Sequence, residues 1–266
     1  MKHGKKIAII GSGNIGTAIY KGLINKNLSP EQFFLTRRQI DTLSEYKSEG
    51  AQISSDNNEA VKKSEIIILS VLPSQLKNIL SEIKDNLDSS KILISVVTAY
   101  SISEIKTFID NKCPVVLAMP NTALLVGESM TCMAADEGDN SALTLASEYF
   151  DLVGKVLKIP ENLIGGATIL AACGVAFFMR YIRAASQGGI QVGFHANDAQ
   201  LIAAQTAKGA SKLLLTTGNH PETEIDKVTT PMGCTIAGLN EMEHNGLSSA
   251  LIKGIVTSYN ELSRLK

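Results

Sequence analysis

After a short basic start, an unbroken apolar run, Ile7–Ile10, opens the chain. Such a run marks a strand buried on both faces of a parallel sheet. Similar runs recur at Phe33–Thr36, 66–71, 92–97 and 115–117, with weaker ones at 130–134 and 155–158. Helical patterns fall between them, from Asn14 to about Lys26 and again over 141–152. Strands alternating with helices up to about residue 160 predict a doubly wound α/β sheet. After Pro160 the pattern changes. No convincing strand follows, and helical patterns cover about 162–189, 196–217, 235–245 and 247–264, punctuated by Gly193, Asn197-Asp198, Gly218, Pro221 and Gly246. Two domains are therefore expected, an α/β domain over 1–160 and an all-helical domain over 161–266. Small residues such as Ala203, Ala204, Ala207 and Gly209 permit close helix approach, so the helical half is expected to pack against another subunit as well as internally.

The first strand runs straight into Gly11-Ser12-Gly13-Asn14-Ile15-Gly16. In a strand–turn–helix context this spacing is the fingerprint of a dinucleotide-binding, Rossmann-type fold. The first glycine makes the tight turn, the second admits a pyrophosphate close to the backbone, and the third lets helix pack on strand. The open amides at the helix start then receive phosphate charge. The second strand ends in Thr36-Arg37-Arg38, where an NAD enzyme usually places an acidic residue for the ribose 2′-hydroxyl. A hydroxyl and two guanidinium groups suit a 2′-phosphate instead, which favours NADPH over NADH.

Composition narrows the class without changing it. Of 266 residues, 44% are hydrophobic and 19% charged, which describes a soluble globular protein. A net charge of -1 offers no basis for binding nucleic acid or an anionic membrane. No apolar run reaches the roughly 18 residues that span a bilayer, and the N-terminus lacks a long apolar leader. The four cysteines (Cys113, Cys132, Cys173, Cys234) form no C-x-x-C pair, so neither a disulfide framework nor a zinc site is indicated. A cytoplasmic location is expected. His3, His195, His220 and His244 show no metal-ligand spacing, so no metal is assigned.

One irregular stretch in the helical half carries chemistry, Val228-Thr229-Thr230-Pro231-Met232-Gly233-Cys234-Thr235. The amides of Gly233, Cys234 and Thr235 fall at the start of a helix, forming a nest for a carboxylate with a hydroxyl beside it. The plainer alternative is a turn with Thr235 as the helix cap.

Read end to end, the chain resembles the pyrroline-5-carboxylate reductase family. The resemblance rests on the glycine loop, on Val71-Leu72-Pro73, on Met119-Pro120-Asn121, on 172–177, and most specifically on 228–235 with its trailing apolar helix. It implies NADPH-dependent reduction of the C=N bond of 1-pyrroline-5-carboxylate to L-proline, with NADH as a further cofactor. The substrate carboxylate would sit on Thr230, Gly233, Cys234 and Thr235, Thr235 orienting the imine. The cofactor would lie along Gly11–Gly16, Thr36, Arg37, Arg38, Asn57, Val71, Leu72, Pro73, Val97, Thr98 and Asn121. Family members dimerise through the helical domain and often assemble further into rings. Several positions depart from the family pattern: Leu72 replaces a lysine, Leu117 an arginine, Thr98-Ala99 an Ala-Gly pair, Val175 a proline and Met232 a glycine. These departures leave two alternatives, a reductase of another imine or a non-catalytic NADPH-binding paralogue.

Overall fold

The computed structural model describes residues 4–264; residues 1–3 and 265–266, and with them His3, lie outside the described residues. β1 (Ile7–Ile10) leads into α1 (Asn14–Ile24), followed by β2 (Phe33–Thr36), α2 (Ser44–Glu49), β3 (Gln52–Ser54), α3 (Asn57–Lys62) and β4 (Ile66–Leu69). α4 (Pro73–Ile83), β5 (Ile92–Ser95), α5 (Ile102–Phe108) and β6 (Val115–Met119) continue the alternation. β7 (Ser129–Ala135), α6 (Asn140–Asp151) and β8 (Gly154–Lys158) close it. The strands lie in the order β3-β2-β1-β4-β5-β6-β7-β8. Winding reverses between β1 and β4, and the crevice at their carboxyl ends is where such sheets bind ligands.

The register explains why isoleucine fills these strands. Ile7, Ala8, Ile9 and Ile10 stand level with Phe33–Thr36 on one side and Ile66–Leu69 on the other. Alternate residues then point to opposite faces. Ile7, Ile9, Leu35 and Ile68 meet Ala18, Ile19 and Leu23 of α1 and Phe150 of α6. Ala8, Ile10, Ile67 and Leu69 meet Leu76, Leu80 and Ile83 of α4 and Ile105 of α5. Each such isoleucine or leucine, fully buried, contributes about 2 kcal/mol. Both faces are covered, so neither carries a polar alternation.

Three local features differ from the sequence expectation. β7 runs antiparallel to β6, whereas β8 is parallel to β7; a short apolar run carries no direction. The helix expected over 162–189 is instead α7 (Ile164–Ala167), a π-helical turn Thr168–Cys173 and α8 (Gly174–Gln191). A π turn widens the backbone ladder, and the buried Asn121 Nδ2 donates to the carbonyl of Ala171 there at 3.1 Å. Glu161–Gln191 also forms one helical stretch long and apolar enough to cross a membrane by length and composition. Gly165, Gly166, Arg180 and Arg183 interrupt it, which is why it shows no unbroken apolar run.

The chain divides into two compact units. One is Ala176–Thr257, and the other is the rest of the described chain, including the segment that follows from Ser258. The Ala176–Thr257 unit holds most of α8, then α9 (Ala196–Thr217), α10 (Pro221–Asp226), α11 (Cys234–His244) and most of α12 (Leu247–Glu261). α10 was not expected. Pro221 at its first position suits a helix start, and His220 caps it, accepting from the Glu222 amide at Nδ1 (3.3 Å). The hydrogen bonds from Asn219 and Lys227 hold the Glu224 carboxyl in α10 below its ordinary range.

Candidate functional site

The turn from β1 to α1 shows where each backbone donor goes. The amides of Gly11 and Ser12 both donate to the carbonyl of Thr36, at 3.2 and 2.8 Å, and the amide of Gly13 donates to Gly11. The first two are therefore spent on holding the loop against β2, and the third on closing the loop on itself. The unpartnered donors at a helix start are those of its first turn; of the amides of Asn14, Ile15 and Gly16, those of Asn14 and Ile15 belong to residues that line the groove and are the ones placed to meet an anion. Gly11 sits at φ +87°, and a Cβ there would come within 2.5 Å of Val71 Cγ1 and 2.9 Å of the Ser70 carbonyl. At Gly16 a Cβ would come within 2.7 Å of Ser70 Oγ. Gly13 differs. Protein atoms leave a Cβ room there, the nearest being 3.9 Å away, so what its bareness serves lies outside the protein.

In front of this turn lies a groove of about 830 Å³. Of the sequence-predicted cofactor residues it brings together Gly11, Gly13, Asn14, Ile15, Thr36, Arg37, Arg38, Asn57, Val71 and Leu72. Thr36 is buried and donates to Asn57 Oδ1 at 2.6 Å. Arg37 reaches back to the carbonyl of Ser12 (3.4 Å), and Arg38 is exposed at the mouth. Leu72, 65% exposed, presents a bare apolar side chain to the groove. A phosphate-free lining would not need two guanidinium groups and two open helix amides, so these residues fit a 2′-phosphorylated dinucleotide.

Other predicted residues lie elsewhere. Ser12 is buried with its hydroxyl on the Ile9 carbonyl (3.1 Å), Gly16 packs beneath the turn, and Pro73 opens α4. Val97 is buried and Thr98 half-buried, and neither lines the groove. Asn121 turns inward. Its Oδ1 accepts from the Ala123 amide (3.0 Å) while its Nδ2 holds Ala171, so its side chain supports structure. The groove contains residues the sequence did not single out. Gln75, Asn78 and Glu82 form a polar stripe along one face of α4, at the three- and four-residue spacing that aligns helix side chains. That spacing following Leu72-Pro73 was the available signal.

A second cavity of about 510 Å³ lies by Ala99, Tyr100 and Leu117. Its carboxylates are already occupied with α5: Glu104 pairs with the Ser101 amide and Glu161 accepts from the Ile102 amide at 2.6 Å.

In the helical unit, 230–233 forms a tight turn, the Gly233 amide donating to the Thr230 carbonyl at 2.9 Å. That donor is therefore unavailable to a ligand, which corrects the expected three-amide nest. Gly233 caps α11, and the amides of Cys234 and Thr235 open it beside the Thr230 and Thr235 hydroxyls, all exposed. A Cβ on Gly233 would stand 2.5 Å from Thr230 Oγ1. Proline at the second turn position and positive φ at the third define a type II turn, whose third residue is normally glycine. Here it is Met232, at φ +58° and fully exposed. Ala99, another departure from the family pattern, also sits at positive φ (+72°). Among the described residues no three His, Cys, Asp or Glu groups gather to hold a metal. Burial pushes the Cys113 thiol up to about 12 and raises Cys132 and Cys173 as well, so these three are poor nucleophiles.

Residues 161–265 match the family model described as pyrroline-5-carboxylate reductase dimerisation. Residues 6–99 match that of NADP oxidoreductase, coenzyme F420-dependent. Pyrroline-5-carboxylate reductase 1 of Dictyostelium discoideum is 47% identical over 97% of this chain; the chain spans about half of that relative, 49%. Pyrroline-5-carboxylate reductase 2 of the same organism is 46% identical over 99% of this chain and 94% of its own length. Among solved structures, a pyrroline-5-carboxylate reductase from Coxiella burnetii superposes with TM-score 0.88 at 27% identity, covering 98% of both chains. A Plasmodium falciparum pyrroline carboxylate reductase with NADP bound shares the fold, with TM-score 0.90 at 24% identity over 98% of each chain. The chain belongs to the pyrroline-5-carboxylate reductase family.

Proposed function

We propose that this protein reduces 1-pyrroline-5-carboxylate to L-proline with NADPH. The observation that carries this reading is the groove. Spent loop amides, open α1 amides, and Arg37 and Arg38 at the end of β2 together fit a phosphorylated dinucleotide, in a chain 46% identical along 94% of a named reductase. When bound, the nicotinamide supplies the hydride that the imine carbon accepts. The protein's own task is placement. Asn14 and Ile15 hold the pyrophosphate at the positive end of α1, and Arg37 and Arg38 hold the 2′-phosphate. The Cys234 and Thr235 amides, with the Thr230 and Thr235 hydroxyls, hold the substrate carboxylate. A cyclic imine is a strong electrophile once protonated, so no buried strong acid is called for, and Thr235 orients the ring.

The protein acts as a homodimer assembled through the helical half, and dimers join into rings; it is cytoplasmic and binds neither membrane nor nucleic acid. The exposed apolar side chains of α8, α9 and α12 support assembly through that half. The test is NADPH oxidation, followed by absorbance, with and without 1-pyrroline-5-carboxylate. Oxidation that depends on the imine is expected, and cofactor binding without oxidation would overturn the assignment. A second reading keeps the reaction class but changes the imine, because Met232 projects fully exposed beside the nest. A panel of cyclic imines separates the two.

A further inference from the structure

The end of β2 carries no carboxylate, yet the groove that holds Arg37 and Arg38 does contain one. It comes from α4. Glu82 lies on the same helical face as Gln75 and Asn78, and all three line the groove. Asn57, the first residue of α3, ties this carboxylate to β2. Its Oδ1 accepts from Thr36 Oγ1 at 2.6 Å, and its Nδ2 lies 3.2 Å from both oxygens of Glu82. Thr36 is only 1% exposed, so the series Thr36–Asn57–Glu82 is fixed at its buried end and opens at its solvent end. With a donor on its oxygen and an acceptor on its nitrogen, the Asn57 amide has one sensible orientation. The series stands where a doubly wound fold places the adenosine ribose, since that ribose lies over the end of β2.

We propose that Glu82 is a specificity-determining residue of the cofactor groove. It supplies from α4 the carboxylate that the end of β2 lacks. Through it and Asn57 the groove accepts a cofactor whose ribose bears a 2′-hydroxyl, and its charge opposes the 2′-phosphate that Arg37 and Arg38 attract. The proposal rests on the reductase reading given above.

The test compares Glu82→Gln, Glu82→Ala and the unaltered protein for kcat/KM with NADPH and with NADH, alongside dissociation constants of both nucleotides. Glu82→Gln keeps a hydrogen-bonding group for Asn57 and removes the charge. The expected result is a rise of about tenfold in the NADPH-to-NADH preference. It should be carried by KM rather than kcat and should shrink as salt is raised. A preference within about twofold of the unaltered protein in both variants, or one that falls, would overturn the proposal. Binding without turnover would overturn the reductase reading alone, because the preference is then read from the dissociation constants. Binding of neither nucleotide would overturn both.

Discussion

The two units treat apolar residues in opposite ways. In the sheet unit β1, β2, β4 and β6 are buried along their whole lengths, and helices cover both faces. In Ala176–Thr257 only Ser186, Ala199 and Glu224 are buried, while Phe178, Leu201, Leu215 and Ile252 stand in the open. Helix α9 runs for 22 residues with one buried side chain. The sheet unit is a finished core; the helical unit leaves most of its apolar side chains uncovered. Exposed apolar surface on this scale marks an interface, and the match of 161–265 to a dimerisation family agrees with that.

The largest expected effect tests the finished half. Gly11→Val sets a branched side chain at φ +87° against Val71 and the Ser70 carbonyl. It should abolish measurable NADPH binding and destabilise the fold by roughly 3 kcal/mol, read by nucleotide titration and urea unfolding. Next, Phe178→Asp combined with Leu251→Asp puts charge on the open side chains of α8 and α12, and sedimentation should show a smaller mass than that of the unaltered protein. An unchanged mass would mean that these side chains are not the ones covered. Thr235→Ala tests the nest: kcat/KM for the imine should fall ~10- to 100-fold, about 1.4–2.7 kcal/mol of lost transition-state interaction, with the urea midpoint unmoved. The smallest effect is Met232→Gly. Relief of about 1–2 kcal/mol of left-handed strain outweighs the ~0.5–1 kcal/mol entropic cost of glycine. A gain of about 0.5–1 kcal/mol should appear in the urea midpoint.

The same contrast explains what was legible in the sequence. β1 and the glycine turn were readable because a doubly buried strand allows nothing but apolar residues and the Gly11 turn allows nothing but glycine. β3 was not, since Gln52–Ser54 is short and only half-buried. The direction of β7 was invisible because a short apolar run, buried over most of its length, reads the same both ways. The π turn leaves no mark in a 3.6-residue pattern, and its partner Asn121 sat in a motif that pointed toward the cofactor. Glu82 reads as an ordinary exposed helix charge, and only the fold sets it beside Asn57. Gly233 looked like a free donor because the bond across a turn of 230–233 is a property of backbone angles, not of residue types.

The return of the chain to the sheet unit from Ser258 has a consequence for how the protein is made. Tyr259 lies against Gly165, 3.2 Å from where a Cβ would stand, and Leu262 walls the cavity beside Ala99 and Leu117. Those neighbours leave the ribosome well before the segment that covers them, with the whole helical unit translated in between. The nucleotide-binding body therefore waits, partly uncovered, until the later unit has emerged. A stop codon just after Thr257 would injure the first half of the protein rather than the second.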